Sequence, residues 1–201
     1  MATTRRSAAD ATIVAPATEE VRNEVVATEE TSARSSIKTV QQVIKDLLAN
    51  GCKRIVNMRV KSAKVTEKDN YTMVSLTLDK PIAGYVSDED GVFEKGETNV
   101  IFASTYSLAA TLKESDDTAF AANTLVENPK GFEVILAGAR VDIIQQEVSA
   151  DELYVNPFSS RSEEEGESLG HDTIINHVVS INPSSNARDL LKLMALKMMG
   201  I

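Results

Sequence analysis

The chain offers few side chains that could carry out catalysis. A hydrolase or transferase needs a nucleophile, a base and an orienting group held close together, but the two histidines, His171 and His177, lie near the C-terminus beyond an acidic stretch. If both histidines lay on one strand they would share a face of it and could hold a metal ion, but no cysteine or carboxylate at metal-ligand spacing accompanies them. Neither glycine-rich phosphate-binding motif occurs among the nine glycines. We therefore expect no catalytic residues, no metal and no cofactor, in a protein that is not an enzyme.

A binding surface is the chemistry that the residues favour. The chain of 201 residues has a net charge of −9, yet the segment KRIVNMRVKSAK, from Lys53 to Lys64, has five basic side chains and no acid. Cations that contact phosphates, beside flat rings that stack on bases, bind single-stranded nucleic acid. The predicted nucleic-acid-binding residues are Lys53, Arg54, Arg59, Lys61, Lys64, Tyr71, Tyr106 and Tyr154. Phe102 is a further candidate ring; the alternative is that Phe102 lies in the core and the tyrosines are half-buried.

Alternating apolar and polar residues predict that this basic segment is a long strand. Val56, Met58 and Val60 share one phase, and Ala63 continues in the opposite phase, which predicts a bulge near Ser62. Four further strands are predicted by the same period at 71–78, 98–103, 132–136 and 140–148, and Tyr154-Val155 would extend the sheet. The expected fold is mainly β, a small five-stranded barrel with accessory helices.

Helices are predicted before, within and after this barrel. Apolar residues at helical spacing indicate a flanking helix over 37–50, capped by Ser35 or Ser36, and short helices follow over 104–112 and 118–126. The predicted organisation is a flexible arm over 1–34, the helix and barrel over 35–158, an acidic linker over 159–170 and a strand and helix tail over 171–201.

The predicted tail helix carries an apolar stripe that could bind a partner. Leu190, Leu191, Met194 and Met198 lie along one side of it, as in helices that dock into a groove. Packing of the stripe on the chain's own barrel is the alternative. Together with the arm, the stripe favours a second hypothesis, a structural or assembly protein such as a virion component that forms a homo-oligomer.

Three segments also carry a resemblance to a known family. They are RIVNMRVKSAKV, its partner YTMVSLTL, and FEVILAGARVDIIQQEV followed by DELYVNPFSS. In the order of its elements the chain resembles the OB-fold single-stranded-DNA-binding proteins of bacteriophages. The resemblance implies a non-catalytic protein that binds single-stranded DNA in replication or recombination. Such proteins often end in an acidic tail with a final aromatic residue, whereas this chain has its acidic run internally and ends LMALKMMGI.

Composition indicates where the protein acts. Cys52 is the single cysteine, so an intramolecular disulfide is impossible, and no apolar run is long enough for a signal peptide or a membrane span. We expect a cytoplasmic protein, in the host cytoplasm if it is viral and in the virion if the structural hypothesis holds, without a membrane partner.

Overall fold

The computed structural model describes residues 38–69, 71–87, 91–113, 119–159 and 165–198. The strands are β1 (Lys53–Lys68), β2 (Tyr71–Ser87), β3 (Phe93–Ser104), β4 (Arg140–Val148), β5 (Leu153–Tyr154), β6 (Glu167–Ser168) and β7 (Thr173–Asn182). The helices are α1 (Val40–Ala49), α2 (Thr105–Lys113), α3 (Ala119–Glu127), α4 (Gly131–Leu136) and α5 (Ser185–Met198). The expected arm over 1–34 and the expected caps Ser35 and Ser36 lie outside the described residues.

Five strands form one antiparallel sheet in the order β3-β2-β1-β4-β7. The mainly β class predicted from the sequence is therefore confirmed. The sheet is not closed into a barrel, because β3 and β7 are its two edges. One strand lies between β1 and each edge strand. Because neighbouring strands are antiparallel, β3 and β7 both run parallel to β1 and therefore to each other.

The long first strand changes partners along its length. Residues 53–59 pair with β4, and residues 60–68 pair with β2. The register shifts between Val60 and Ser62, which confirms the bulge predicted near Ser62. Because a bulge bends its strand and increases the local twist, β1 can belong to both halves of a curled sheet.

The concave face of the sheet brings its two halves together. Gln145 on β4 donates from Nε2 to the Ala83 carbonyl of β2 at 2.8 Å and to Asn176 Oδ1 of β7 at 2.9 Å. Lys95 Nζ of β3 lies 2.9 Å from Glu147 Oε1 of β4. The Gln145–Ala83 and Lys95–Glu147 contacts join strands that are not neighbours in the sheet order, so the sheet is strongly curled.

Two layers of helices cover the sheet. The main core lies between the concave face and helices α2 to α5; its largest fully buried side chains include Leu76, Leu78, Ile101, Leu108, Leu112, Leu125, Phe132, Ile135, Leu136, Ile143 and Leu191. On the other face α1 packs against Ile144 and Val179. The Thr39 hydroxyl caps α1 by accepting a hydrogen bond from the Gln42 N–H at 3.2 Å. The predicted helices before the sheet and after β3 are confirmed.

Residues 132–136 form most of helix α4, so the strand predicted for them was wrong. Phe132, Ile135 and Leu136 are buried in the main core. Glu133 Oε1 accepts a hydrogen bond from the Val65 N–H at 2.8 Å. The helix therefore lies against the half of β1 that pairs with β2. A short apolar run such as FEVIL has no period that distinguishes a helix from a strand.

The structure differs from the expected division at the tail. The strand β7 pairs with β4 from Thr173 to Asn182 and is the fifth strand of the sheet. The helix α5 buries Ala187 and Leu191 in the main core. The described residues of the tail thus belong to the same folded unit as the sheet. Residues 132–136 are helical and do not pair with β4, and β7 occupies that position instead.

A small two-stranded ribbon follows β4. In it Tyr154 lies opposite Glu167, so Tyr154 does not extend the main sheet as expected. The described part of the acidic segment, from residue 165 onward, contributes the second strand of this ribbon. The ribbon places Tyr154 and the residues after it beside β7.

Candidate nucleic-acid interface

A row of side chains crosses the outer face of β1, β2 and β3. Lys64 lies opposite Ser75, and Ser75 lies opposite Phe102. Side chains directly opposite each other share a face of a sheet. Leu76, which follows Ser75, and Ile101, which precedes Phe102, are both buried in the main core. Lys64, Ser75 and Phe102 therefore point away from the core.

Positive side chains continue along the same face of β1. Together with one residue of β4 they form the cation row: Arg59, Lys61, Lys64, Lys68 and Arg140. All five are exposed, and among the residues that the structure describes none forms an ion pair with a carboxylate. Arg140 lies opposite Arg59 and donates to the Asn57 carbonyl at 3.2 Å. The cation row is a cluster of positive charge on a protein whose net charge is −9.

Three members of the cation row, Arg59, Lys61 and Lys64, were predicted from the sequence. Lys68 was missed, although the alternation of β1 beyond its bulge indicates that Lys68 shares the face of Lys64. Arg140 was missed because only the pairing of β1 with β4 brings it beside Arg59. No local pattern in the sequence contains that information.

The other two predicted cations take different positions. Arg54 Nη2 pairs with Asp142 Oδ2 at 2.7 Å, and Asp142 Oδ1 accepts a hydrogen bond from the Asn57 N–H at 2.8 Å. Asn57 has φ 60°, in the left-handed region that asparagine adopts more readily than most residues. Arg54 and Asp142 therefore stabilise an irregular turn of β1. Lys53 is exposed at the start of β1, on the segment that pairs with β4.

Three aromatic rings are open to solvent near the cation row. Tyr71 is 58% exposed, Phe102 62% and Tyr106 74%. The alternative that Phe102 lies in the core was wrong, because the buried phase of β3 is that of Ile101. Tyr71 begins β2 opposite Lys68 of the cation row, and Tyr106 is the second residue of α2, directly after β3. Tyr71 and Phe102 therefore lie on the same face of the sheet as the cation row.

Tyr154, the fourth predicted ring residue, is packed more closely. Its ring stacks on His177 with centroids 6.4 Å apart, and the Phe158 ring lies 6.3 Å from His177 on a tilted plane. Burial raises the pKa of Tyr154 to about 12, so the hydroxyl stays protonated. Among the described residues no partner hydrogen-bonds to that hydroxyl.

A groove of about 490 Å³ lies between the two edges of the sheet and is termed the β3–β7 groove. Its β3 side includes Val100, Phe102 and Ser104, and its other side includes Tyr154, Asn156 and His177. Phe102 belongs both to this groove and to the row that begins at Lys64. Sequence reasoning missed the groove because residues of β7 were assigned to a separate tail.

The histidines do not form a joint site. His177 is buried, its Nε2 lies 2.9 Å from Gln146 Oε1, and burial lowers its pKa to about 4. His171 precedes the first residue of β7, so the two imidazoles do not share a strand face. In the described ranges, no group of three or more His, Cys, Asp or Glu side chains is arranged to hold a metal ion.

The predicted stripe of α5 divides between two faces. Leu191 is 1% exposed and packs in the chain's own core, whereas Leu190 is partly exposed and Met194 is half-buried. The side chain of Met198 is outside what the structure describes. The exposed leucines of the helix are Leu190, Leu193 and Leu196. Neither α5 nor any other helix in the described part of the chain is long and apolar enough to cross a membrane.

The interface has no counterpart from which a function could be transferred. No protein-family model matches this chain, and no curated protein or solved structure does. The case for a function therefore depends on the geometry of the cation row, the exposed rings and the β3–β7 groove.

Proposed function

We propose that this protein binds single-stranded nucleic acid across the outer face of β1, β2 and β3. The observation that carries the proposal is the cation row, which forms no ion pair within the described ranges and includes Lys64, in register with an exposed ring. Positive side chains neutralise phosphates, and exposed rings stack on bases that are not paired. The proposed role is non-catalytic binding, in DNA replication or recombination.

The spacing of the face favours a single strand over a duplex. Lys64 and Phe102 are separated by one intervening strand, which places their backbones roughly 10 Å apart. A single strand that crosses the sheet can place a phosphate near Lys64 and direct a base toward Phe102. In a duplex the bases are stacked inside the helix, so their faces are not available to rings on the surface of a sheet.

The order of the elements gives further support. A long bulged first strand, a hairpin, helices after the third strand and a closing pair of strands are the features on which the resemblance to OB-fold proteins rests. Here the closing pair is β4 and β7. OB-folds are partly open five-stranded barrels that bind oligonucleotides on one face. Because one fold serves many functions, the cation row carries more weight than the strand order.

Binding can be tested by fluorescence anisotropy with a labelled oligo-dT and a matched duplex over a series of salt concentrations. We expect the single strand to bind more tightly than the duplex. If all five cations contact phosphates, the logarithm of the binding constant falls with the logarithm of the salt concentration with a slope of about −3.5. Absence of binding to the single strand at low salt would refute the proposal.

Charge reversal separates the cation row from general electrostatics. Replacing Arg59, Lys61 and Lys64 together by Glu should abolish binding at moderate salt, because three phosphate contacts become repulsive. The matched control replaces Lys45, Lys130 and Lys192 by Glu. All three are exposed, Lys45 and Lys192 on helices and Lys130 directly before α4, and the change in net charge is the same. Circular dichroism should show that both variants keep the fold. Equal loss of binding in both would contradict the proposed location.

A second function, assembly into a homo-oligomer, is favoured by the exposed leucines of α5. Leu190, Leu193 and Leu196 form an apolar face that could pack against the same face of a second copy. Light scattering of the chain and of the Leu193→Glu variant tests this function. An oligomer that becomes monomeric in the variant supports it. A monomer in both counts against it. Deletion of α5 is unsuitable, because Leu191 belongs to the main core.

A further inference from the structure

We infer that the β3–β7 groove holds one unstacked base of the bound single strand, with the base stacked on Phe102 and hydrogen-bonded to the Tyr154 hydroxyl. This inference rests on the proposed function and adds to it a base-specific subsite. The cation row alone predicts binding that ignores sequence, whereas a groove with a polar wall can distinguish one base from another.

The shape of the groove suits a small aromatic ligand. Its volume of about 490 Å³ is within the range of roughly 300–1,000 Å³ that is typical of small-molecule sites. The groove is lined by rings on both sides, Phe102 from β3 and Tyr154 with His177 from the opposite side. Flat walls of this kind complement the face of a base.

The position of the groove favours a nucleotide as its ligand. Phe102 is the last residue of the row that starts at Lys64 and passes through Ser75. A strand whose phosphates contact the cation row therefore reaches the mouth of the groove at Phe102. A neutral apolar peptide would leave the cation row unused, so charge complementarity favours the nucleic acid.

Tyr154 supplies the polar contact inside the groove. Its ring is fixed by stacking on His177, and its hydroxyl has no hydrogen-bond partner among the described residues. The hydroxyl is protonated at physiological pH, as in any tyrosine with a pKa of 10 or more, so it can donate to a base carbonyl or ring nitrogen. A fixed and unpartnered donor costs little entropy when a ligand accepts from it.

Two substitutions test the inference in the anisotropy assay. Phe102→Ala removes the stacking ring and should weaken binding of oligo-dT by about 5- to 150-fold, the range for loss of one base stack. Tyr154→Phe removes only the hydroxyl and should weaken binding by about 2- to 10-fold. The second effect should differ among oligo-dT, oligo-dC and oligo-dA, because these bases present different acceptors.

Matched controls separate the groove from the rest of the face. Val134→Ala truncates an exposed side chain on α4 and should leave binding unchanged. Tyr71→Phe removes a hydroxyl outside the groove, so any effect of this variant on binding should be the same for oligo-dT, oligo-dC and oligo-dA. As a direct readout, a single 2-aminopurine moved along the oligonucleotide should be quenched at one position in the wild type and not in Phe102→Ala.

The outcomes distinguish this inference from the proposed function. If the chain binds oligo-dT and loses binding on charge reversal, but Phe102→Ala and Tyr154→Phe bind like the wild type, the groove subsite is refuted and the proposed function stands. If no single strand binds at low salt, both are refuted. Because Phe102 is mostly exposed and Tyr154→Phe retains the ring, neither variant should unfold.

Discussion

Protonation of His177 should make the fold sensitive to acid, and the size of the effect follows from its burial. The pKa of His177 is lowered from 6.5 to about 4 because burial among Tyr154, Phe158 and the strand β4 disfavours the charged imidazolium. The unfolded chain binds a proton below about pH 6.5, whereas the folded chain stays neutral there until about pH 4. The unfolded state therefore binds more protons in this window, and stability decreases as the pH falls.

The difference in pKa corresponds to about 3 kcal/mol of unfolding free energy, at 1.36 kcal/mol per unit. This loss should be absent above pH 6.5, develop between pH 6.5 and pH 4, and be complete below pH 4. The perturbation is His177→Gln, which removes the titrating ring and keeps an N–H that can donate to Gln146 Oε1. The variant should be less stable than the wild type near neutral pH because ring packing is lost, but its stability should fall less steeply with acid.

Urea unfolding followed by circular dichroism at a series of pH values measures this slope. The control is the His171→Gln variant, which has the same number of histidines as His177→Gln. The substituted residue is half-buried and lies just before β7. The slope of this control shows how much of the wild-type pH dependence comes from losing a histidine other than His177. If His177→Gln loses stability with acid as steeply as the wild type, His177 is not the group that couples protonation to folding, and the argument from burial is refuted.

Three further predictions test the fold. Phe132→Ala should reduce the unfolding free energy by about 3–5 kcal/mol in urea titrations, because it empties a fully buried position on the core-facing side of α4; a cost below 1 kcal/mol would contradict the assigned core. Asn57→Gly should be nearly neutral in thermal unfolding, whereas Asn57→Val should cost about 1–3 kcal/mol, because the backbone there has positive φ. Leu191→Ala should cost about 2–5 kcal/mol, and Leu193→Ala should change stability little, since Leu193 is 63% exposed; the reverse order in chemical denaturation would show that the faces of α5 are assigned wrongly.

Much of the fold could be predicted because local periodicity reports which face of an element is buried. The strand β1, its bulge at Ser62 and the helix α1 each follow from apolar spacing in a single segment. Residues 132–136 could not be assigned, because five apolar-rich residues fit a helix and a strand equally well. The strand β7 was recognised as strand-like, but its place beside β4 is a long-range pairing that the spacing of its own residues does not encode.

The candidate site was predictable to the same extent. Arg59, Lys61 and Lys64 could be placed on one face because they lie on a single strand. Arg54 was assigned to the same surface, yet its pairing with Asp142 depends on the register between β1 and β4. The β3–β7 groove required the curvature of the whole sheet. Features that combine side chains from distant segments were therefore the ones that the sequence did not reveal.

Side chains hold the two unclosed edges of the sheet in position, and the groove between these edges is therefore formed without a ligand. Near one end, Gln145 joins the Ala83 carbonyl to Asn176, and elsewhere along β7 the Thr111 hydroxyl donates to the Val178 carbonyl at 3.3 Å. These contacts hold β7 beside β2 and α2 without a backbone ladder between β3 and β7. The groove therefore exists before a ligand arrives. A preformed site avoids the cost of ordering its walls on binding, so a single base can contribute affinity even though its contact area is small.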